Sequence, residues 1–163
     1  MPSIYLAGFD VFRPDAKAWG ETLKMLCAKY GFEGLFPLDN EAPASLSGAA
    51  LARWIYEANV QLIRRADIVM ANVNPFRGAE PDSGTVFEVG YAVALGKPVW
   101  AYTEENRSLV EQVAVDRQFG DGPYTDTLGY TVEDFGYSLN LMLACSTQVV
   151  HGDVEDCLAQ LAG

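Results

Sequence analysis

The sequence predicts a doubly wound α/β fold: a mostly parallel sheet of five strands flanked by helices. Two observations carry the prediction. Residues 3–7 (SIYLA) and 68–73 (IVMANV) are short, almost unbroken apolar runs, as expected of parallel strands covered on both faces. Between such runs lie stretches whose apolar residues recur at helical spacing, so strands alternate with helices along the chain. With 163 residues the chain is long enough for a substantial core, and residues 1–163 are read as one domain.

The elements follow in order. The first strand, 3–7, ends at Gly8, and 9–14 is read as a loop leaving its carboxyl end. Pro14 and Asp15 suit the first turn of a helix whose apolar positions are Trp19, Leu23, Leu26 and Tyr30, with Gly31 as its stop. Residues 32–36 read as a second strand, followed by Pro37-Leu38-Asp39-Asn40-Glu41, and 42–48 (APASLSG) as loop. A helix over 49–65 presents Trp54, Ile55, Leu62 and Ile63 on one face, and 68–73 is the third strand. A Pro/Gly-rich loop then becomes an apolar helix ending at Gly96, followed by a fourth strand over 98–102. The acidic stretch 103–136 reads mainly as loops, with one or two helical turns near 108–115. A helix over 137–145, a fifth strand over 148–150 and a helix over 154–161 close the chain. Ligands of such sheets bind beyond the carboxyl ends of the strands. Segments 5–12, 38–41, 72–88 and the stretch after Tyr102 converge on that edge.

Composition narrows the partners. A net charge of −11 repels phosphate backbones, so nucleic acid is not an expected partner and a neutral small molecule is. Cys27, Cys145 and Cys157 are odd in number and lack CxxC spacing, which suggests neither a disulfide framework nor a zinc site and fits a reducing cytoplasm. No apolar run approaches the length of a membrane span, so no membrane partner is expected.

The stretch 76–97 (FRGAEPDSGTVFEVGYAVALGK) concentrates the chemistry, with Asp82 and Glu88 where loop turns into helix. One reading is local: Thr85-Val86-Phe87-Glu88 has the spelling of a capping box, and Asp82 suits a turn before Gly84. The other is chemical. A carboxylate in a first helical turn is held ionised by the helix dipole, as a nucleophile must be. Two carboxylates with separated protonation states perform glycosyl transfer with retention, one attacking the anomeric carbon and the other handling the leaving group's proton.

Several blocks along the chain resemble one enzyme family. They are Ile4-Tyr5-Leu6-Ala7-Gly8, Pro37-Leu38-Asp39-Asn40-Glu41, and Asn59 with Leu62-Ile63 and Ala66-Asp67. The most specific are Pro75-Phe76-Arg77-Gly78, Glu80-Pro81-Asp82-Ser83-Gly84-Thr85 and Phe87-Glu88-Val89-Gly90-Tyr91-Ala92; Asn140-Leu141-Met142-Leu143 completes the set. In this order they resemble the nucleoside 2-deoxyribosyltransferases, which have a Rossmann-like fold. The resemblance implies Glu88 as the nucleophile on C1′ of a 2′-deoxynucleoside, Asp82 as the carboxylate that helps protonate the departing base, and Tyr5 as the phenol that orients the nucleophile.

It further implies a substrate-binding set of Gly8, Phe12, Asp39, Glu41, Asn59 and Gly84, with Asn140 and Met142 lent to a neighbouring subunit's site in a homo-oligomer. Asn59 replaces the Asp of some members and Glu41 the Gln of others. Read without the resemblance, Tyr5 is a core aromatic, Asn140 a capping residue and Asp39-Asn40 a turn pair. The expected substrates are 2′-deoxyribonucleosides and free purine and pyrimidine bases, with no cofactor and no metal. A hydrolase of 5′-nucleotides and a non-catalytic nucleoside-binding module are the competing readings; Ser83-Gly84-Thr85 is a possible phosphate cradle for the former. Arg77 is expected to pair with a carboxylate, and His151, the only histidine, lacks the partners of a catalytic base.

Overall fold

The computed structural model describes residues 1–117 and 120–163. Five strands form one parallel sheet: β1 (Ser3–Ala7), β2 (Glu33–Leu35), β3 (Ile68–Asn72), β4 (Val99–Thr103) and, after the short ladder described below, β7 (Gln148–His151). Their spatial order is β2-β1-β3-β4-β7. Helices α1 (Ala16–Lys29), α2 (Gly48–Arg65), α3 (Ser83–Ala94), α4 (Leu109–Val113) and α5 (Leu141–Ser146) lie between strands, and α6 (Val154–Ala162) follows β7. The predicted doubly wound α/β architecture is the one observed.

The alternation of side chains along each strand assigns the two faces of the sheet. Tyr5, Ala7, Val69, Ala71, Val99 and Ala101 pack against α2, α3 and α5 through Leu62, Ile63, Val89, Ala92 and Leu143. Ile4, Leu6, Met70, Tyr102 and Val150 pack on the opposite face against α1 and α6 through Leu23, Cys27, Cys157 and Leu158. Both faces are covered, which is why β1 and β3 read as continuous apolar runs. The chain winds from β1 to β2 through α1 and then returns through α2 to β3, so the strand order reverses between β1 and β3. That reversal opens a crevice at the carboxyl edge of the sheet.

Several elements differ from expectation. The second strand is shorter than 32–36, and residues 9–14 are not a plain loop: Phe9–Phe12 forms a single 3-10 turn. The helix predicted over 137–145 begins only at Leu141, because Asn140 accepts from the Met142 amide (2.9 Å) and Glu133 accepts from the Leu141 amide (2.9 Å). A side chain that supplies the first acceptors of a helix fixes where it starts. Within 103–136, Ser108 caps α4 in a capping box, and a two-residue antiparallel ladder joins β5 (Asp116–Arg117) to β6 (Tyr124–Thr125). Gln118 and Phe119, part of the stretch read as loop, lie outside the described residues. Among the described residues no helix is long and apolar enough to cross a membrane.

One glycine sets where the chain leaves β2. Gly20 is buried inside α1, and a Cβ there would lie 2.4 Å from Cδ1 and 2.7 Å from Cε1 of Phe36. The Phe36 ring is itself 2% exposed and has nowhere to retreat. Gly20→Ala should therefore lower the unfolding free energy by about 1–3 kcal/mol through overpacking, although alanine is intrinsically the better helix former by about 1 kcal/mol. Urea denaturation measures the balance; equal or higher stability would show that Phe36 does not depend on this close approach.

Candidate active site

The carboxyl edge of β1, the turns after β1 and β2, the middle of α2 and the start of α3 enclose a cavity of about 440 Å³. Its polar side carries Asp82, Thr85, Glu88 and Asn59. Val11, Phe12, Pro37, Leu38, Trp54 and Ile55 form its apolar side, and Gly8, Asn40, Ala42 and Gly84 complete the lining. The size and the mix of an apolar wall with a few polar groups match those of small-molecule sites.

The start of α3 arranges the carboxylates. Asp82 is the N-cap: its Oδ2 accepts from the Thr85 amide (2.9 Å) and from Thr85 Oγ1 (3.1 Å). The capping-box reading of Thr85 and Glu88 is thus corrected. Asp82 is the stronger cap, it takes the amide three residues on, and Thr85 becomes an interior position that is 1% exposed. Glu88 then falls in the second turn, beyond the reach of the helix dipole's main effect.

Glu88 is instead governed by burial. Its half-buried carboxyl accepts a 2.6 Å hydrogen bond at Oε1 from the hydroxyl of Tyr5, which is completely buried in β1. Desolvation pushes the Glu88 pKa up to about 7; the nearby charge of Asp82 adds to the rise, while the Tyr5 hydroxyl opposes it. The expectation that the dipole holds Glu88 ionised therefore gives way to a carboxyl poised between its two forms at neutral pH. Burial and the adjacent Glu88 raise the Tyr5 phenol, which stays a proton donor. Tyr5 is both a core aromatic and the partner of Glu88.

Gly8, Phe12, Asn59 and Gly84 line this cavity with Glu88 and Asp82. Asp39 and Glu41 do not. Asp39 accepts from the Phe36 amide (3.0 Å) and from Lys24 (2.8 Å), so its carboxylate folds back on the start of the 3-10 turn Pro37–Asp39 and faces α1. With Glu41 it lines a separate, shallower hollow on the other side of Leu38; Asn40 is the member of this segment that reaches the larger cavity. Asn140 and Met142 are also outside the lining. Asn140 caps α5 and donates to Glu133, and Met142 is 71% exposed.

Arg77 does not form the expected ion pair among the described residues. Its guanidinium lies 4.6 Å from the ring centre of Phe76 and 5.3 Å from that of Phe12. Phe76 in turn stacks between Phe9 and Phe12, at 4.8 and 5.6 Å, so the 76–80 loop rests on the turn after β1. His151 is exposed at the end of β7, outside the cavity. Trp54 and Asn40 are lining residues that sequence reasoning did not assign; Trp54 was legible only as part of the apolar face of α2.

Residues 4–142 match the family model described as nucleoside 2-deoxyribosyltransferase. An uncharacterised protein of Schizosaccharomyces pombe, C191.05c, is 33% identical over 158 residues, covering 87% of this chain and 75% of that protein. A structure described as a 2-desoxiribosyltransferase from Leishmania mexicana is 34% identical and superposes with a TM-score of 0.79, covering 99% of this chain and 97% of its own. A conserved protein from Enterococcus faecalis, 22% identical with a TM-score of 0.61, covers the same shares of the two chains and shares the fold. The chain belongs to the nucleoside 2-deoxyribosyltransferase family.

Proposed function

We propose that this protein exchanges the base of 2′-deoxyribonucleosides through a covalent ester on Glu88, the whole chain acting as one domain. The observation that carries the reading is the 2.6 Å bond from Tyr5 to Glu88 at a cavity that also holds Asp82. The apolar wall suits a planar base, and the opposite side, with Asn59 and the two carboxylates, suits a sugar. In the first half-reaction an oxygen of ionised Glu88 bonds to C1′ as the bond from C1′ to the base nitrogen breaks. Asp82 assists transfer of a proton to the departing base. In the second, a ring nitrogen of an incoming base attacks C1′, the ester bond breaks and restores the carboxylate, and the proton lost from that nitrogen leaves by way of Asp82, making good the one given to the first base. Two inversions give net retention. Water can take the place of the second base, so slow hydrolysis accompanies transfer.

Binding of a 5′-phosphate at Ser83-Gly84-Thr85 is disfavoured by the same geometry. The amide and hydroxyl of Thr85, which such a cradle would use, are committed to Asp82. Met142 projects from the surface, which fits its loan to the site of a neighbouring copy in a homo-oligomer; Asn140, which caps α5 and donates to Glu133, would join that site by exchanging those partners.

Incubation with deoxyadenosine and free cytosine should yield deoxycytidine. Base released only from a deoxynucleoside monophosphate would replace the reading with a nucleotide hydrolase, and no turnover of either substrate would leave a binding module. Glu88→Ala and Glu88→Gln should each reduce exchange by about 10³-fold or more, because the nucleophile itself is lost. Wild-type turnover in either variant would remove Glu88 from the role.

The pH dependence has a definite sign. The nucleophile is the ionised form, so kcat/KM for the first half-reaction should rise with pH through an inflection near 7. The Tyr5 hydrogen bond lowers the Glu88 pKa, so Tyr5→Phe should move the inflection upward. A profile flat from pH 5 to 8 in both proteins, by steady-state kinetics, would contradict the assignment.

A further inference from the structure

Asp10 is a carboxylate that the proposed chemistry does not use. It lies in the turn Phe9–Phe12 and is 6% exposed. Its Oδ1 accepts from Trp19 Nε1 on α1 (2.8 Å), and its Oδ2 accepts from Asn72 Nδ2 at the end of β3 (2.9 Å). The orientation of Asn72 is dictated from beyond. Its Oδ1 accepts from the Asn74 amide N–H (3.2 Å) and from Asn74 Nδ2 (2.8 Å), and the Oδ1 of Asn74 accepts from the Glu104 amide N–H (2.8 Å). Backbone amides and the indole N–H can only donate. The Asn72 amide therefore presents its NH₂ to residue 10, and residue 10 must accept at both of its oxygens. A carboxylate does this and an amide cannot.

The pinned turn is part of the cavity. Gly8, Val11 and Phe12 line it, and a Cβ on Gly8 would lie 2.7 Å from Asp10 Oδ2 and 2.9 Å from Asn72 Cβ. The carboxylate thus sits directly behind the wall, one glycine's thickness from the ligand space. We propose that Asp10 is a positioning residue that, through Trp19 and Asn72, holds Gly8, Val11 and Phe12 as the wall against which a nucleoside's base lies. The identity of the ligand rests on the function proposed above; the wall itself rests on the hydrogen-bond accounting.

The donor and acceptor pattern at Asp10 and Asn72 specifies its own rescue. Asp10→Asn sets one NH₂ against another, and Asn72→Asp sets one carboxylate against another. The exchange of the two restores every bond: Asn at 10 accepts from Trp19 and donates to Asp at 72, which still accepts from Asn74. Binding of 2′-deoxyadenosine is measured by calorimetry in a Glu88→Gln background that cannot turn over, and exchange kinetics are measured with Glu88 intact. Either single substitution should raise Kd and KM about tenfold while kcat changes little, since loss of one buried hydrogen bond weakens binding by that order. The double substitution should return both constants to within about threefold of the parent. Leu158→Ala is the control: it lies in the core on the α1 and α6 face, completely buried, and should lower Tm while leaving Kd unchanged.

Parental Kd and KM in Asp10→Asn, or a double variant as weak as the weaker single one, overturns the proposal. If Asp10→Asn does not fold, Asn72→Asp against the double variant carries the same comparison, and Trp19→Phe, which removes a single donor, should raise Kd less than either. A parent that binds deoxyadenosine without exchanging bases refutes the proposed function and leaves the rescue to decide the wall. A parent that binds no deoxynucleoside refutes both.

Discussion

The hydrogen bond from Tyr5 to Glu88 joins the first strand to the third helix, and most of the site depends on it. The two residues are 83 positions apart, and each is placed by a separate local rule. Period-two alternation in β1 turns Tyr5 toward the α2 and α3 face while Ile4 and Leu6 face α1. The cap at Asp82 fixes the first turn of α3 and thereby the angular position of Glu88 around the helix. A shift of one residue in either element would separate them. Thr85 is buried because its donors are spent on Asp82, so the cap that sets the helix also sets the distance between the two carboxylates.

This arrangement costs stability, and the direction follows from the pKa. Burial raises Glu88 from an ordinary value of 4.5 to about 7. Between these values the unfolded chain releases a proton that the folded chain keeps. Stability is therefore free of this penalty below about pH 4.5 and declines as pH rises through the window, by about 3 kcal/mol once both states are ionised. The protein carries a carboxyl that would be easier to hold neutral, and carries it at a cavity. Strain of this kind gathers at functional sites. Asp10 shows the other way to bury a carboxylate: each of its oxygens has a neutral donor.

Much of this was legible in the sequence. The apolar runs at 3–7 and 68–73 identified strands covered on both faces, and their alternation with helices gave the winding and the sheet edge at which the cavity opens. The loop and helix over 76–97 supply Asp82, Gly84, Thr85 and Glu88 of the candidate cavity. Other features were not legible because their determinants are distant or directional. Thr85 and Glu88 have the spelling of a capping box, but Asp82 competes for the same amide and takes it. Asp39, Asn40 and Glu41 are adjacent in sequence, and only the course of a 3-10 turn, anchored by Lys24 and the Phe36 amide, decides that Asn40 faces the cavity. The helix expected from 137 begins at Leu141 because Glu133, seven residues before Asn140, supplies the acceptor. The network of Asp10 with Trp19 and Asn72 spans three elements, and no local pattern announces it.

The central claim is that Glu88 forms a bond to a sugar carbon. The most direct measurement is peptide mass spectrometry of the protein quenched in acid shortly after mixing with deoxyadenosine in the absence of an acceptor base. The account predicts one 2-deoxyribosyl unit, carried on the peptide containing Glu88 and absent from Glu88→Gln. Release of adenine with no adduct, or an adduct on another residue, would contradict it.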